Sequence, residues 1–438
     1  MNKTVKHCIS AAAFFIMLIA AVKFLDYLLV PMSRADFFLH DMARMKEKGP
    51  NIDMVIIGNS HSLFGFNPSV FEKELSLDNV YNASVTGIQI SSMYYIAESI
   101  IEDFEPEIVL LAIDWDSLRE KGTTRTQAKL LGLDRLTGLR KLKHLFNDFY
   151  SSEMIYGVLR PYRFRDNIFK VNTIAGNIKM KKWAEKTRYE EDYYQTIKGY
   201  DKGSACSSSP YKISEQQPFN KNLLSDRSIG YLDKLTELCK IKNIHLVLVI
   251  PPVSTMQLMK IESYQQAIDY YNTYAKEKNI VFFDMNMLKN RDIIFNDHAF
   301  YDQGHLCESG AAAASRICSE VIQKKINNED VSDLFYLSTN ELATDIKRVV
   351  SVGADIITDN RSIVISNLQA IAGKDMDVTF EIMISLDGTH YESKFQNVQS
   401  DDQCDFFIAD NTNSFFIRII GRDSKYHTES FADYQISL

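Results

Sequence analysis

The stretch DMVIIGNSHS, residues 53–62, decides how this chain is read. Residues 54–57 form a short unbroken apolar run, the pattern of a strand buried on both faces of a parallel sheet. The run stops at Gly58, and Ser60 follows two residues later. In an open α/β sheet that position lies at the carboxyl edge of the strand, where ligands bind.

Outward from this stretch, apolar runs alternate with helical spacing. Residues 79–82 are a second short strand, and residues 88–103 have helical periodicity. Residues 108–113 (IVLLAI) are a third strand, and residues 244–250 (IHLVLVI) a fourth, stopped by Pro251 and Pro252. A helix at 262–278 precedes a fifth strand at 280–283, and an Ala-rich helix at 306–326 closes the series. Strands alternating with helices predict an α/β fold with a doubly wound, parallel five-stranded sheet over residues 51–328.

Three further segments flank or interrupt this unit. Lys3 and Lys6 precede an apolar run that extends from Cys8 to Val30, broken by Lys23 and Asp26. As a helix it is ~35 Å long, enough to cross a bilayer. Residues 1–30 are read as a signal-anchor transmembrane helix, in preference to a signal peptide cleaved near Ala20 or Ala21 or a buried soluble helix. Basic residues ahead of the run put the N-terminus in the cytoplasm and the rest of the chain outside it. Residues 31–50, polar and of mixed charge, read as a stalk.

Between the third and fourth strands lies an insertion, residues 120–225, with 20 Lys and Arg against 11 Asp and Glu. Its formal charge is +9 in a chain of net −8. Aromatic residues are dense in it, among them Tyr156, Tyr162, Phe164, Trp183, Tyr189, Tyr193 and Tyr194. The simplest reading is a helical insertion with a solvated basic face. The sharper one is a surface for anionic glycan or lipid headgroups, with Lys181, Lys182, Lys186 and Arg188 as its cluster. It leaves and re-enters near the sheet edge that carries Ser60, so it can overhang that residue. Beyond residue 328, alternating apolar and polar residues and an Asp387-Gly388 turn predict a small antiparallel β-sandwich, residues 329–438.

An acidic chain of 438 residues with 45% apolar residues is neither a disordered chain nor, as a whole, a nucleic-acid binder. Six cysteines exclude a disulfide-built scaffold and leave the redox compartment open. Cys307 reads as a core residue.

The chemistry rests on three residues. Asp302 stands three positions before His305, on a loop leading into the last helix. That spacing lets a carboxylate reach the imidazole Nδ1–H and leaves Nε2 to deprotonate the Ser60 hydroxyl. A Gly-x-Ser-x-Gly elbow is absent, because position 62 is Ser. A metal cluster of Asp297, His298, Asp302 and His305 is the weaker reading. His61 lines the pocket or caps the following helix, and His245 reads as structural.

With these residues in place, the sequence resembles the SGNH/GDSL hydrolase superfamily. Residues 56–62 (IIGNSHS) look like its first block, with Ser60 as nucleophile. Residues 81–87 (YNASVTG) resemble the second, whose glycine, here Gly87, gives an oxyanion-hole N–H. Residues 302–305 (DQGH) resemble the fifth. The third block departs: residues 112–116 read AIDWD, and Asp114 occupies the slot of the family's oxyanion-hole asparagine. A carboxylate facing a developing oxyanion is repulsive, and a missing donor costs ~3 kcal/mol of transition-state stabilisation. Either Asp114 points away, or the hole uses the Ser60 and Gly87 N–H groups with another donor such as Asn82. Membrane-anchored members with such a third block resemble accessory acyltransferases of cell-envelope polysaccharides, among them those of alginate acetylation and teichoic-acid D-alanylation. The resemblance implies a serine acyl enzyme that transfers or removes acyl groups on a cell-envelope polysaccharide, with a multipass membrane O-acyltransferase as partner. It implies no cofactor and no metal. The rival reading is a decayed site that only binds glycan.

Overall fold

The computed structural model describes residues 3–49, 51–119, 125–187, 198–206, 219–261, 263–359, 361–409 and 412–437. Its central sheet has five strands: β1 (Met54–Ile57), β2 (Val80–Asn82), β3 (Ile108–Ala112), β4 (His245–Ile250) and β5 (Val281–Asp284). Their order is β2-β1-β3-β4-β5, with every pairing parallel. All four residues of β1 and all five of β3 are buried, as their unbroken apolar runs require.

The pleat of β1 divides its side chains between two cores. Val55 and Ile57 pack with helices Ile90–Phe104, Asp226–Ile241 and Tyr264–Lys278. Met54 and Ile56 pack with helices Pro68–Leu75 and Glu308–Ile326. β2 lies on one side of β1 and β3 on the other, so the connections reverse direction at β1. That reversal opens a crevice at the carboxyl edge.

The segment read as a stalk is instead a docked helix, Arg34–Lys48. Ala35, Phe38, Asp41 and Met45 are buried on one face, and Phe38 and Met45 belong to the core on the Val55 side of the sheet. Their spacing of three and four residues is helical, and a Ser33–Asp36 capping box starts the helix. Mixed charge on the other face hid this stripe.

Before it runs helix Lys3–Leu29, in which Val5–Leu29 is long and apolar enough to cross a membrane. Its last carbonyls are capped by the insertion. Asn167 donates to Leu29 O at 3.0 Å, and Asn177 donates to Leu28 O and Leu29 O at 3.1 Å. Lys181 donates to Asp26 O at 2.8 Å and Tyr27 O at 2.9 Å. Lys181 is therefore a cap of this helix and not a free member of a polymer-binding cluster. Arg188, Tyr189, Tyr193 and Tyr194 lie outside the described residues.

The C-terminal segment is antiparallel. β6 (Val349–Asp359), β7 (Ser362–Ala372) and β10 (Cys404–Phe407) form one sheet. β8 (Val378–Ser385), β9 (Glu392–Val398), β11 (Ser414–Asp423) and β12 (Thr428–Ser437) form the other. Val352, Ile363 and Ile365 of the first sheet share a core with Phe380, Ile382, Ile417 and Ile419 of the second.

Candidate active site

The turn after β1 is built around Gly58. A Cβ there would stand 2.7–2.9 Å from Ser62 Cβ and from the carbonyl oxygen and Cβ of Ala112, so only glycine fits between β1 and β3. Asn59 then caps the short helix Ser60–Gly65 by accepting from the His61 N–H at 3.0 Å. Ser60 is the first residue of that helix and is partly exposed.

The partner loop lies between Phe300 and Leu306, which pair as an antiparallel bridge and are both buried. Inside it, the Tyr301 N–H donates to His305 O at 3.0 Å. Asp302 Oδ1 accepts from the N–H groups of Gly304 at 2.9 Å and His305 at 2.8 Å. Gly304 is confined as well: a Cβ would stand 2.8 Å from His61 Cε1. The carboxylate is thus fixed by backbone donors before it meets the imidazole.

The three side chains converge. His305 Nδ1 lies 2.8 Å from Asp302 Oδ2 and 2.9 Å from Oδ1. His305 Nε2 lies 2.8 Å from Ser60 Oγ. With Nδ1–H donating to the carboxylate, Nε2 is the acceptor for the Ser60 hydroxyl. Burial pushes the Asp302 carboxyl up, but the His305 hydrogen bond, the backbone N–H groups and the imidazole charge outweigh it, holding the group below the usual carboxylate range. Asp302 is therefore held as an anion beside the ring.

Aromatic rings hold the imidazole in place. His61 stacks on His305 at 4.8 Å between centroids, Tyr301 stacks on it at 5.5 Å, and Phe64 meets it edge-on at 5.4 Å. Sequence reading placed His61 here and passed over Phe64 and Tyr301, whose only signal was their proximity to Ser60 and His305.

The oxyanion side differs from expectation at Asn82. Its side chain is fully buried and donates to Ser62 O at 3.0 Å and Phe66 O at 2.9 Å. Both amide hydrogens are spent on tying the Ser60 helix to β2, so Asn82 has none for an oxyanion. Gly87 is exposed on the loop after β2, on the same edge as Ser60. Asp114, at the end of β3, accepts a hydrogen bond from the Asn59 side chain and lies 4.0 Å from His61 Nε2. The carboxylate in the asparagine slot is thus engaged by residues flanking Ser60.

Cys307 is not a free core thiol: it is disulfide-bonded to Cys206 of the insertion. The same segment packs beside the loop that carries His305, since a Cβ on Gly203 would stand 3.0 Å from the Tyr301 ring. Among the described residues, no group of three or more His, Cys, Asp and Glu is placed to hold a metal ion.

A second Ser–His–Asp set lies elsewhere. Ser92 Oγ is 3.2 Å from His144 Nε2, and His144 Nδ1 is 2.8 Å from Asp148. All three are buried between helices, and Asp148 also accepts from Tyr231 and Arg227. A nucleophile needs substrate access as well as a base, so this set reads as a packing network.

Compared with known proteins, residues 33–311 match the family described as "Protein of unknown function (DUF1574)", well over half of the chain, and the chain belongs to that family. No curated protein matches it. Among solved structures, it is similar to a putative acylhydrolase from Bacteroides fragilis at 11% identity and TM-score 0.28, covering 66% of this chain and 97% of that one. A GDSL-like lipase from Bacteroides thetaiotaomicron gives 11% identity and TM-score 0.30, with 66% and 99% covered. The psychrotrophic esterase EstA from Pseudoalteromonas sp. gives 11% and 0.29, with 63% and 100% covered. At these scores the likeness fixes nothing about activity.

Proposed function

We propose that this member of the DUF1574 family is a membrane-anchored serine acyl enzyme of SGNH/GDSL type that acts on ester groups of a cell-envelope polysaccharide. The observation that carries the reading is the 2.8 Å contact of Ser60 Oγ with His305 Nε2, with Asp302 2.8 Å from the other ring nitrogen. In the reaction, Ser60 Oγ bonds to the acyl carbon as its proton passes to His305 Nε2. The Ser60 and Gly87 N–H groups hold the oxyanion. The leaving alkoxide takes the proton from His305, and acyl-Ser60 remains. An incoming hydroxyl then gives its proton to His305 and attacks the acyl carbon, which frees Ser60.

Water as the second nucleophile makes the protein an esterase; a sugar hydroxyl makes it a transferase. Transfer is the reading taken here, because an anchor would hold the enzyme near a membrane-borne acyl donor. A multipass membrane O-acyltransferase is the proposed source of the acyl group.

Mass spectrometry of the chain after exposure to an aryl acetate tests the reading. An acetyl adduct on Ser60 that is discharged by added oligosaccharide is expected. No adduct with any acyl donor would favour a glycan-binding protein with a dead site.

A further inference from the structure

The insertion closes on the apolar N-terminal helix at the place where that helix would leave the bilayer. A span of 25 residues, Val5–Leu29, is about 37 Å long against a hydrocarbon core of about 30 Å, so its last turns stand among headgroups. Those are the turns whose carbonyls are capped by Asn167, Asn177 and Lys181. Asn177 bonds at Leu28 and Leu29, and Lys181, one turn further on, bonds at Asp26 and Tyr27. Helix Val171–Thr187 therefore runs back along the first helix, towards the membrane.

The surface around these caps has the composition of a membrane interface. Ile168, Phe169 and Val171 are 52%, 90% and 76% exposed, and Met180 and Trp183 are exposed on the next turns. This is far more apolar exposure than solitary surface residues need. Six basic and two acidic residues fall between 165 and 187. Lys179, Lys182 and Lys186 sit on the side of the helix opposite Asn177 and Ala184, which are buried. A Trp beside a row of lysines suits the end of a helix that dips into the headgroup layer alongside the anchor, with ring and aliphatic carbons inward and ammonium groups reaching the phosphates.

We propose that residues 165–187 form an interfacial platform that beds into an anionic lipid surface beside the anchor, holding the catalytic unit at a fixed attitude to the membrane. The inference rests on the anchor reading of the first helix. The occupant is the leaflet itself, because the patch is continuous with a helix that has no buried residue in its most apolar stretch.

The chain has two tryptophans, Trp115, buried in the core, and Trp183. The full-length protein is reconstituted in vesicles of phosphatidylcholine and phosphatidylglycerol, 7:3, carrying lipids brominated near the headgroup end of the acyl chain. Emission is expected to fall by about a third or more, and Trp183→Phe is expected to abolish that quenching. A Phe169→Glu, Val171→Glu variant should float with the vesicles but lose most of the quenching. Flotation without quenching of Trp183 overturns the platform and leaves the anchor standing. Absence of flotation overturns both. Quenching that is absent in vesicles, with a photo-crosslinker at position 169 reacting with a membrane protein in native membranes, overturns the lipid proposal in favour of a protein partner.

Discussion

Cys206 and Cys307 are disulfide-bonded across 101 residues of sequence, and Cys307 stands two residues after His305. The bond ties the insertion to the loop that presents the imidazole. It couples a segment remote in sequence to the geometry of the site, and such bonds are characteristic of oxidising compartments, which agrees with the proposed extracytoplasmic location.

Replacing Cys206 with Ser should lower stability and turnover together. The chain-entropy relation gives about 4–5 kcal/mol for a loop of this length, an upper value if the unfolded chain is compact. Thermal unfolding of the oxidised protein, the reduced protein and the variant checks this. An unchanged midpoint in the variant would show that the bond does not form.

Ser60→Ala and His305→Ala should each reduce turnover of an aryl acetate by roughly 10⁴-fold or more, because the residues act as a unit. Asp302→Asn should cost about 10³- to 10⁴-fold by presenting the wrong tautomer to Ser60. Circular dichroism should report folded protein in all three. Turnover retained in Ser60→Ala would falsify the mechanism.

The buried Ser92–His144–Asp148 set should behave in the opposite way. Ser92→Ala and His144→Ala should leave acyl turnover within about twofold and lower stability by about 1–3 kcal/mol, the cost of orphaning a buried partner. Loss of activity at full stability would mean that this set has access to substrate.

Asp41 gives a pH test of the docked helix. Burial raises its carboxyl to about 6, although the Tyr81 hydroxyl and Arg44 act to lower it. Among the described residues, its buried Oδ1 has no hydrogen-bond partner. A raised folded value means that the proton favours the folded state. The contribution is complete below the unfolded value near 3.8 and is lost as pH rises through about 6. Asp41→Asn should therefore raise stability at pH 7 by up to roughly 3 kcal/mol and flatten the stability curve between those limits. Denaturant unfolding from pH 4 to 7 measures it, and parallel curves for both proteins would refute it.

The central sheet was legible because burial on both faces leaves a local mark. Runs such as Ile108–Ala112 and residues 246–250 are apolar without interruption, and Pro251 and Pro252 stop the second. Ser60, Asp302 and His305 could be nominated because a hydroxyl after a strand and an Asp-x-x-His loop are short motifs with a known chemical use. In the C-terminal sheets, alternation of apolar and polar residues is clear over residues 362–365, 377–386, 406–409 and 415–420, which fall on β7, β8, β10 and β11, and it does not mark β6 or β9. β6 turns from buried to exposed along its length, and β9 is almost wholly exposed, so neither keeps a clean period of two. What tertiary structure alone decided are pairings between distant residues. Asn59 meets Asp114 across 55 positions, and Asn82 spends its amide on the Ser62 and Phe66 carbonyls. Cys206 meets Cys307, and Lys181 caps a helix 155 residues upstream. Periodicity records how much of each side chain is buried. It does not record which partner satisfies a polar group, because that depends on where the fold brings separate loops together.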